Sequence, residues 1–260
     1  MALIVGVLGS MLGIGGGVLL IPLLTGLFGV PIKTAIGASI VSVIATSSAA
    51  GAVYVGRGLS HTRLAMVLEI ATPLGALAGG ITAVLLSPNL LEVLFAMVLV
   101  YVVYSMRRLP TEGQAGAPTG VLDTSYVDSA SGATVTYGVR NLPAGMGASF
   151  LAGNVSGLLG IGGGIIKVPI MTLVMGMPLR AAIGTSNFMI GVTAATSAVI
   201  YYQRGFLDPN IAIPTALGVL VGAQIGTRIG GKVRSHSLKL VFQGLLLVFA
   251  VQMLYQAAIR

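Results

Sequence analysis

The sequence predicts an all-α integral membrane protein made of two inverted copies of one unit, each a glycine-broken or re-entrant segment plus three transmembrane helices. Three observations carry this: too little charge for a water-soluble fold, six apolar runs of spanning length, and an ungapped internal repeat. The 260-residue chain is 55% hydrophobic and 8% charged, with a mean hydropathy of +0.99, where soluble domains carry about 25% charged residues.

Apolar runs lie at residues 32–55, 64–86 and 90–106, and again at 181–202, 211–229 and 238–259. Each holds about 20 residues, enough to cross roughly 30 Å of hydrocarbon as a helix. Such segments recur along the whole chain, so the first is read as part of the bundle and not as a cleaved signal. Alternating lipid-facing strands are missing from the pattern, and 38 glycines suit closely packed membrane helices.

With no cysteine and two histidines far apart, no metal or other cofactor is expected. The formal charge of +8 comes from basic residues scattered between apolar runs, so the expected partner is the lipid bilayer and not nucleic acid.

Sliding the sequence on itself places Gly13–Gly17 on Gly160–Gly164, a shift of 160 − 13 = 147 positions. The same shift carries Pro22 onto Pro169, Pro31 onto Pro178, Ser39 onto Ser186, and Tyr54 and Arg57 onto Tyr201 and Arg204. Gly75 and Gly79 fall on Gly222 and Gly226. So many special residues in one register mean duplication, a common plan of secondary transporters. The repeats are residues 1–108 and 143–260. Residues 109–142 form a polar linker, with a possible hairpin around Ala133–Tyr137, read as a solvated connector.

The charges orient the copies. In the first, the turn Ser87-Pro88-Asn89 has no basic residue, while Arg57 and Arg63 precede it and Arg107 and Arg108 follow. In the second the pattern reverses, with Arg228, Lys232, Arg234 and Lys239 around the equivalent turn. Because short cytoplasmic loops collect Lys and Arg, the repeats are expected to be inverted, the linker cytoplasmic and both termini outside. An odd number of crossings per copy has the glycine segment enter and leave on the same side, as a re-entrant hairpin or a pair of short helices.

Irregular backbone inside a membrane is tolerated where protein buries it or water lines it, so paired breaks mark a central site. Gly15, Gly16 and Gly17, with Gly162, Gly163 and Gly164, should leave helix-start amides and the positive dipole end facing an anion. Lys167, three residues past the second break, adds a cation inside an apolar stretch. Ser39, Ser186 and Asn187 head a polar set that also holds Ser42, Thr46, Ser47, Ser48, Thr185 and Thr193. Such groups can replace an oxyanion's hydration. Close helix packing is the competing reading of the glycines and hydroxyls. Glu69 is read as the one acidic residue well inside a span, a candidate for ion coupling or a partner of Arg63. Tyr54 and Tyr201, each followed by an arginine, read as interfacial anchors.

Together, the two G-I-G-G-G segments, Ala35-Ile36-Gly37-Ala38-Ser39, Ile165-Ile166-Lys167-Val168-Pro169 and Ala182-Ile183-Gly184-Thr185-Ser186-Asn187 resemble the TauE/SafE sulfite exporter family over nearly the whole chain. The resemblance implies a permease in the inner (plasma) membrane for sulfite, thiosulfate, an organosulfonate or a related small anion. An anion channel and a carrier of a small carboxylate are the alternatives. An enzyme is not expected, since no paired intramembrane carboxylates, histidine pair or base beside a serine can be picked out, and no P-loop ending follows the glycines.

Overall fold

The computed structural model describes residues 1–108, 122–127, 132–229 and 235–259. Residues 109–121, Asp128, Lys232, Arg234 and the side chain of Lys239 lie outside what is described. The first repeat runs α1 (Ala2–Leu12), α2 (Gly17–Leu27), α3 (Ile32–Gly56), α4 (Thr62–Leu68), α5 (Ala71–Leu85) and α6 (Pro88–Arg108). A hairpin of β1 (Thr124–Val127) and β2 (Thr134–Tyr137) follows. The second repeat is α7 (Leu142–Leu159), α8 (Gly164–Leu173), α9 (Leu179–Gln203), α10 (Pro209–Ile229) and α11 (Ser235–Ile259). The repeat shift carries α3 onto α9 residue for residue.

Among the described residues, α3, α6, α9 and α10 are long and apolar enough to cross a bilayer, and α4 with α5 makes a fifth crossing if the bent pair is one span. A further apolar stretch, Phe242–Ala258, lies in α11. The run 64–86 is therefore not the single straight helix expected. It bends by 45° between α4 and α5. Pro73 explains this, since its ring has no N–H to offer the Glu69 carbonyl four residues back and clashes with it. The chain tightens there instead, with Ile70 N donating to Val67 O. In the second repeat Leu220 stands at the equivalent place and α10 continues unbroken.

Both glycine segments break the helix and reverse the chain. A Cβ added to Gly16 would lie 3.2 Å from Val5 Cγ1, and one on Gly163 would lie 2.8 Å from Ala152 O. Those partners stand eleven residues earlier, a separation of about 16 Å along a straight helix. Each break is thus a hairpin, with α1, α2 and α8 only 10 or 11 residues long.

The repeats interlock by exchange. α5 packs on α7, and its counterpart α10 packs on α1; α3 crosses α9, and α6 lies against α11. Glycines make the close approach possible: Gly75 and Gly79 meet the carbonyls of Phe150 and Asn154, while Gly222 and Gly226 meet those of Leu3 and Val7. Each contact is the other shifted by one repeat, the reciprocity of a pseudo-two-fold axis. The small-residue rows on α5 and α10 are what allow it.

Two sequence readings need correction. The linker is more than a solvated connector, because its antiparallel hairpin buries Tyr126 and Tyr137 against His61, Leu64, Met175 and Met177. Nor are Tyr54 and Tyr201 interfacial anchors: both are buried, and their hydroxyls donate to Ser10 O and Leu158 O, tying α3 to α1 and α9 to α7.

Candidate functional site

The local chemistry of the breaks follows from the glycines. Gly13, Gly15 and Gly16 have φ of 71°, 82° and 79°, and Gly160, Gly162 and Gly163 have 66°, 77° and 72°, left-handed values that a side chain resists. Gly17 and Gly164 serve a different need. They open α2 and α8, and their Cα atoms press against the other repeat, Gly17 on Gly160 O and Gly164 on Gly13 O.

The two breaks therefore meet at the pseudo-two-fold axis. Ser39 Oγ on α3 donates to Gly160 O at 2.8 Å, and Ser186 Oγ on α9 donates to Gly13 O at 2.8 Å. All of Gly13–Gly17 and Gly160–Gly164 are buried, and Gly15 and Gly162 face Ile190 and Val43. In this conformation the opening expected between the breaks is closed, and the serine hydroxyls spend their protons on the opposing carbonyls.

Asn187 is buried beside them. Its Nδ2 donates to Ser10 O at 3.2 Å and to Ile183 O at 3.1 Å, while its Oδ1 has no hydrogen-bond partner among the described residues. Ser42, Thr46, Ser48 and Thr185 bond back to carbonyls of their own helices, the packing role foreseen for part of the polar set. Ser47 instead reaches across to Asn187 O.

Lys167, on the first turn of α8, is buried with its Nζ 3.1 Å from Glu69 Oε1 and 2.9 Å from Thr193 Oγ1. Thr193 also bonds Glu69 Oε1 at 3.2 Å, and Glu69 Oε2 is buried without a hydrogen-bond partner among the described residues. Glu69 thus pairs with Lys167 and not with Arg63. It stands at the α4–α5 bend, which aims it at α8 and α9. Glu69 is also not the sole acid inside a span, since Glu92 of α6 is fully buried.

This cluster breaks the pseudo-symmetry. The positions equivalent to Lys167, Glu69 and Thr193 are Leu20, Ala216 and Thr46. On that apolar flank a cleft of about 370 Å³ reaches Leu20, lined also by Leu24, Phe28, Ile211, Pro214 and Thr215. On the charged flank the equivalent residues, among them Met171, Met175, Leu64 and Leu68, are packed shut beneath the tyrosines of the hairpin. Phe28 is 65% exposed and its counterpart Met175 is 0% exposed. One flank is open where the other is sealed.

Among the described residues no three His, Cys, Asp or Glu side chains gather as a metal site. The bent α4–α5 pair was readable from Pro73, but the pairing of Glu69 with Lys167 had no local signal. In this conformation the donors named from the sequence are engaged within the protein: the two hydroxyls bond opposing carbonyls, and the Lys167 ammonium is held by Glu69 and Thr193.

Broken helix hairpins meeting between interlocked repeats, in a multi-pass helical bundle, define a membrane transporter. A family model described as Sulfite exporter TauE/SafE matches residues 1–253, and the chain belongs to that family. It is 26% identical to the probable membrane transporter protein YunE of Bacillus subtilis, over 98% of this chain and 96% of that protein. It is 25% identical to the probable membrane transporter protein MJ0441 of Methanocaldococcus jannaschii, over 96% of this chain and 92% of the relative. A shorter likeness, 37% identity over 30% of this chain and 18% of the relative, links it to sulfite exporter TauE/SafE family protein 5 of Arabidopsis thaliana. No solved structure matches the chain.

Proposed function

We propose that the protein is a secondary carrier in the plasma membrane for a small sulfur-containing oxyanion such as sulfite, thiosulfate or an organosulfonate. The observation that carries the reading is the reciprocal pair of bonds, Ser39 to Gly160 and Ser186 to Gly13, which closes two broken helices on each other at the pseudo-two-fold axis. Interfaces of this kind are bistable. When the repeats rock apart, the helix starts at Gly17 and Gly164 and the two freed hydroxyls turn toward the gap as donors, and the dipoles favour a negative charge.

The cleft beside Leu20 and the sealed flank beside Lys167 support a carrier caught closed on one side. With the repeats inverted and the linker in the cytoplasm, as the charge pattern suggests, those flanks would face opposite sides of the membrane, as alternating access requires. The sulfur anion is taken from the family description, and its oxygens match the hydroxyl and amide donors. Purified protein in liposomes preloaded with unlabelled sulfite, thiosulfate or sulfoacetate tests this: counterflow of the same labelled anion, saturating with concentration, is expected. Non-saturating flux or single-channel currents would replace the carrier with a pore.

A further inference from the structure

Resting on the carrier reading above, we propose that Glu69 is a proton-binding site which yields Lys167 to the transported anion, so that anion and proton cross together. Lys167 and Glu69 come from different repeats, and their charges balance inside a buried cluster that Thr193 completes. An anion arriving at Lys167 while Glu69 is ionised would put two negative groups on one ammonium, away from water, which is strongly unfavourable. Protonating Glu69 restores neutrality: the ammonium takes the anion, and the carboxylic acid keeps a hydroxyl to donate to Thr193 or to an anion oxygen. After release the proton leaves, the carboxylate returns to Lys167, and the flank reseals.

Three features favour Glu69 for this exchange. Its Oε2 has no hydrogen-bond partner among the described residues, so one lone-pair face is already poised for a proton. It sits in the two-residue break between α4 and α5, where the chain bends by 45° at Pro73. And its side chain is 10% exposed against 1% for Lys167, which sets the acid on the outer side of the pair. The elements packed around it offer few competing charges: α5 and α7 have no titratable side chain, α8 has only Lys167, and α9 has Arg180 at its start and Tyr201 and Tyr202 at its end. On α4 itself the nearest are Arg63 and the capping His61, whose ring accepts from Leu64 N and contacts Leu122 O.

The second flank provides the control. Leu20 and Ala216 occupy the equivalent positions, so the fold accommodates an apolar pair there, and the proton step belongs to one side of the carrier only. The experiment uses liposomes holding the purified protein and a pH-sensitive dye, given inward gradients of methanesulfonate, thiosulfate and sulfite. The first two are anions of acids too strong to carry a proton near neutrality. Wild type is expected to acidify the lumen as the anion enters, and anion exchange should quicken as the pH falls. In Glu69→Gln lumen acidification should vanish and anion-for-anion exchange should lose its pH dependence, while in Lys167→Leu exchange should be lost. Glu69→Ala with Lys167→Leu, copying the other flank, should fold and show no proton movement. Anion uptake by wild type without acidification, or acidification persisting in Glu69→Gln, overturns the proposal and leaves the carrier intact. Failure of all three anions to exchange in wild type overturns the carrier reading for this substrate class, and the proton site with it.

Discussion

Ser186 donates its hydroxyl to the carbonyl of Gly13 at 2.8 Å, from the second repeat into the first, and Ser39 returns the same bond to Gly160. Both bonds are buried, so removing the hydroxyl leaves an acceptor short of one partner. Ser39→Ala and Ser186→Ala should each cost about 1 kcal/mol. Thermal melts in detergent check this. If the hydroxyls also serve the anion, the double variant should lose most of the stabilisation that a bound oxyanion gives wild type.

Lys167 and Glu69 lend themselves to a cycle. Lys167→Leu strands an acid in a buried cluster and should destabilise by about 3–5 kcal/mol, whereas pairing it with Glu69→Ala should recover most of that loss. Denaturant or thermal unfolding of the three variants gives the answer directly. A double variant no more stable than Lys167→Leu would mean that the pair shapes the α4–α5 bend in some way that Leu20 and Ala216 do not mimic.

Tyr137 holds the linker hairpin on the sealed flank with its ring 1% exposed. Tyr137→Ala should cost about 3 kcal/mol, in the range for large aromatic deletions. Its phenol is pushed well above the usual tyrosine range by burial, with Tyr126 adding to the effect. The folded state therefore holds the proton more tightly than the unfolded one. Stability from this group is complete below the ordinary tyrosine value of about 10 and is lost as the pH rises beyond it. Tyr137→Phe keeps the packing and should flatten that alkaline loss, as pH-dependent melts would register.

How much of this was legible depends on how local the signal is. Glycine in the left-handed region has few substitutes, so the triplets mark both breaks, and the register of 147 shows the duplication in the sequence itself. The reversal of the chain at Gly13–Gly17 follows from the same residues. The Glu69–Lys167 pair could not be read, because its members lie 98 positions apart in different repeats and nothing near either names the other. Pro73 marks the bend, but hydropathy averages across a proline and leaves the run 64–86 looking continuous. Tyr54 and Tyr201 differ from expectation for a related reason: an aromatic followed by arginine at a helix end fits an interface and a buried tie equally well, and only the neighbouring helix decides. The hairpin's alternation was visible, but its docking on His61 and Met175 depends on contacts that the linker sequence alone does not encode.

The central claim is that two inverted repeats expose one site alternately, and the lack of any cysteine makes it directly measurable. Thr46 and Thr193 are equivalent, fully buried positions on α3 and α9, one on each flank. Thr46→Cys and Thr193→Cys, placed singly in oriented sealed vesicles, would be probed with a membrane-impermeant maleimide from either side. The account predicts labelling from opposite faces, with a gradient of a transported anion raising one as it lowers the other. Labelling of both positions from the same face would contradict it.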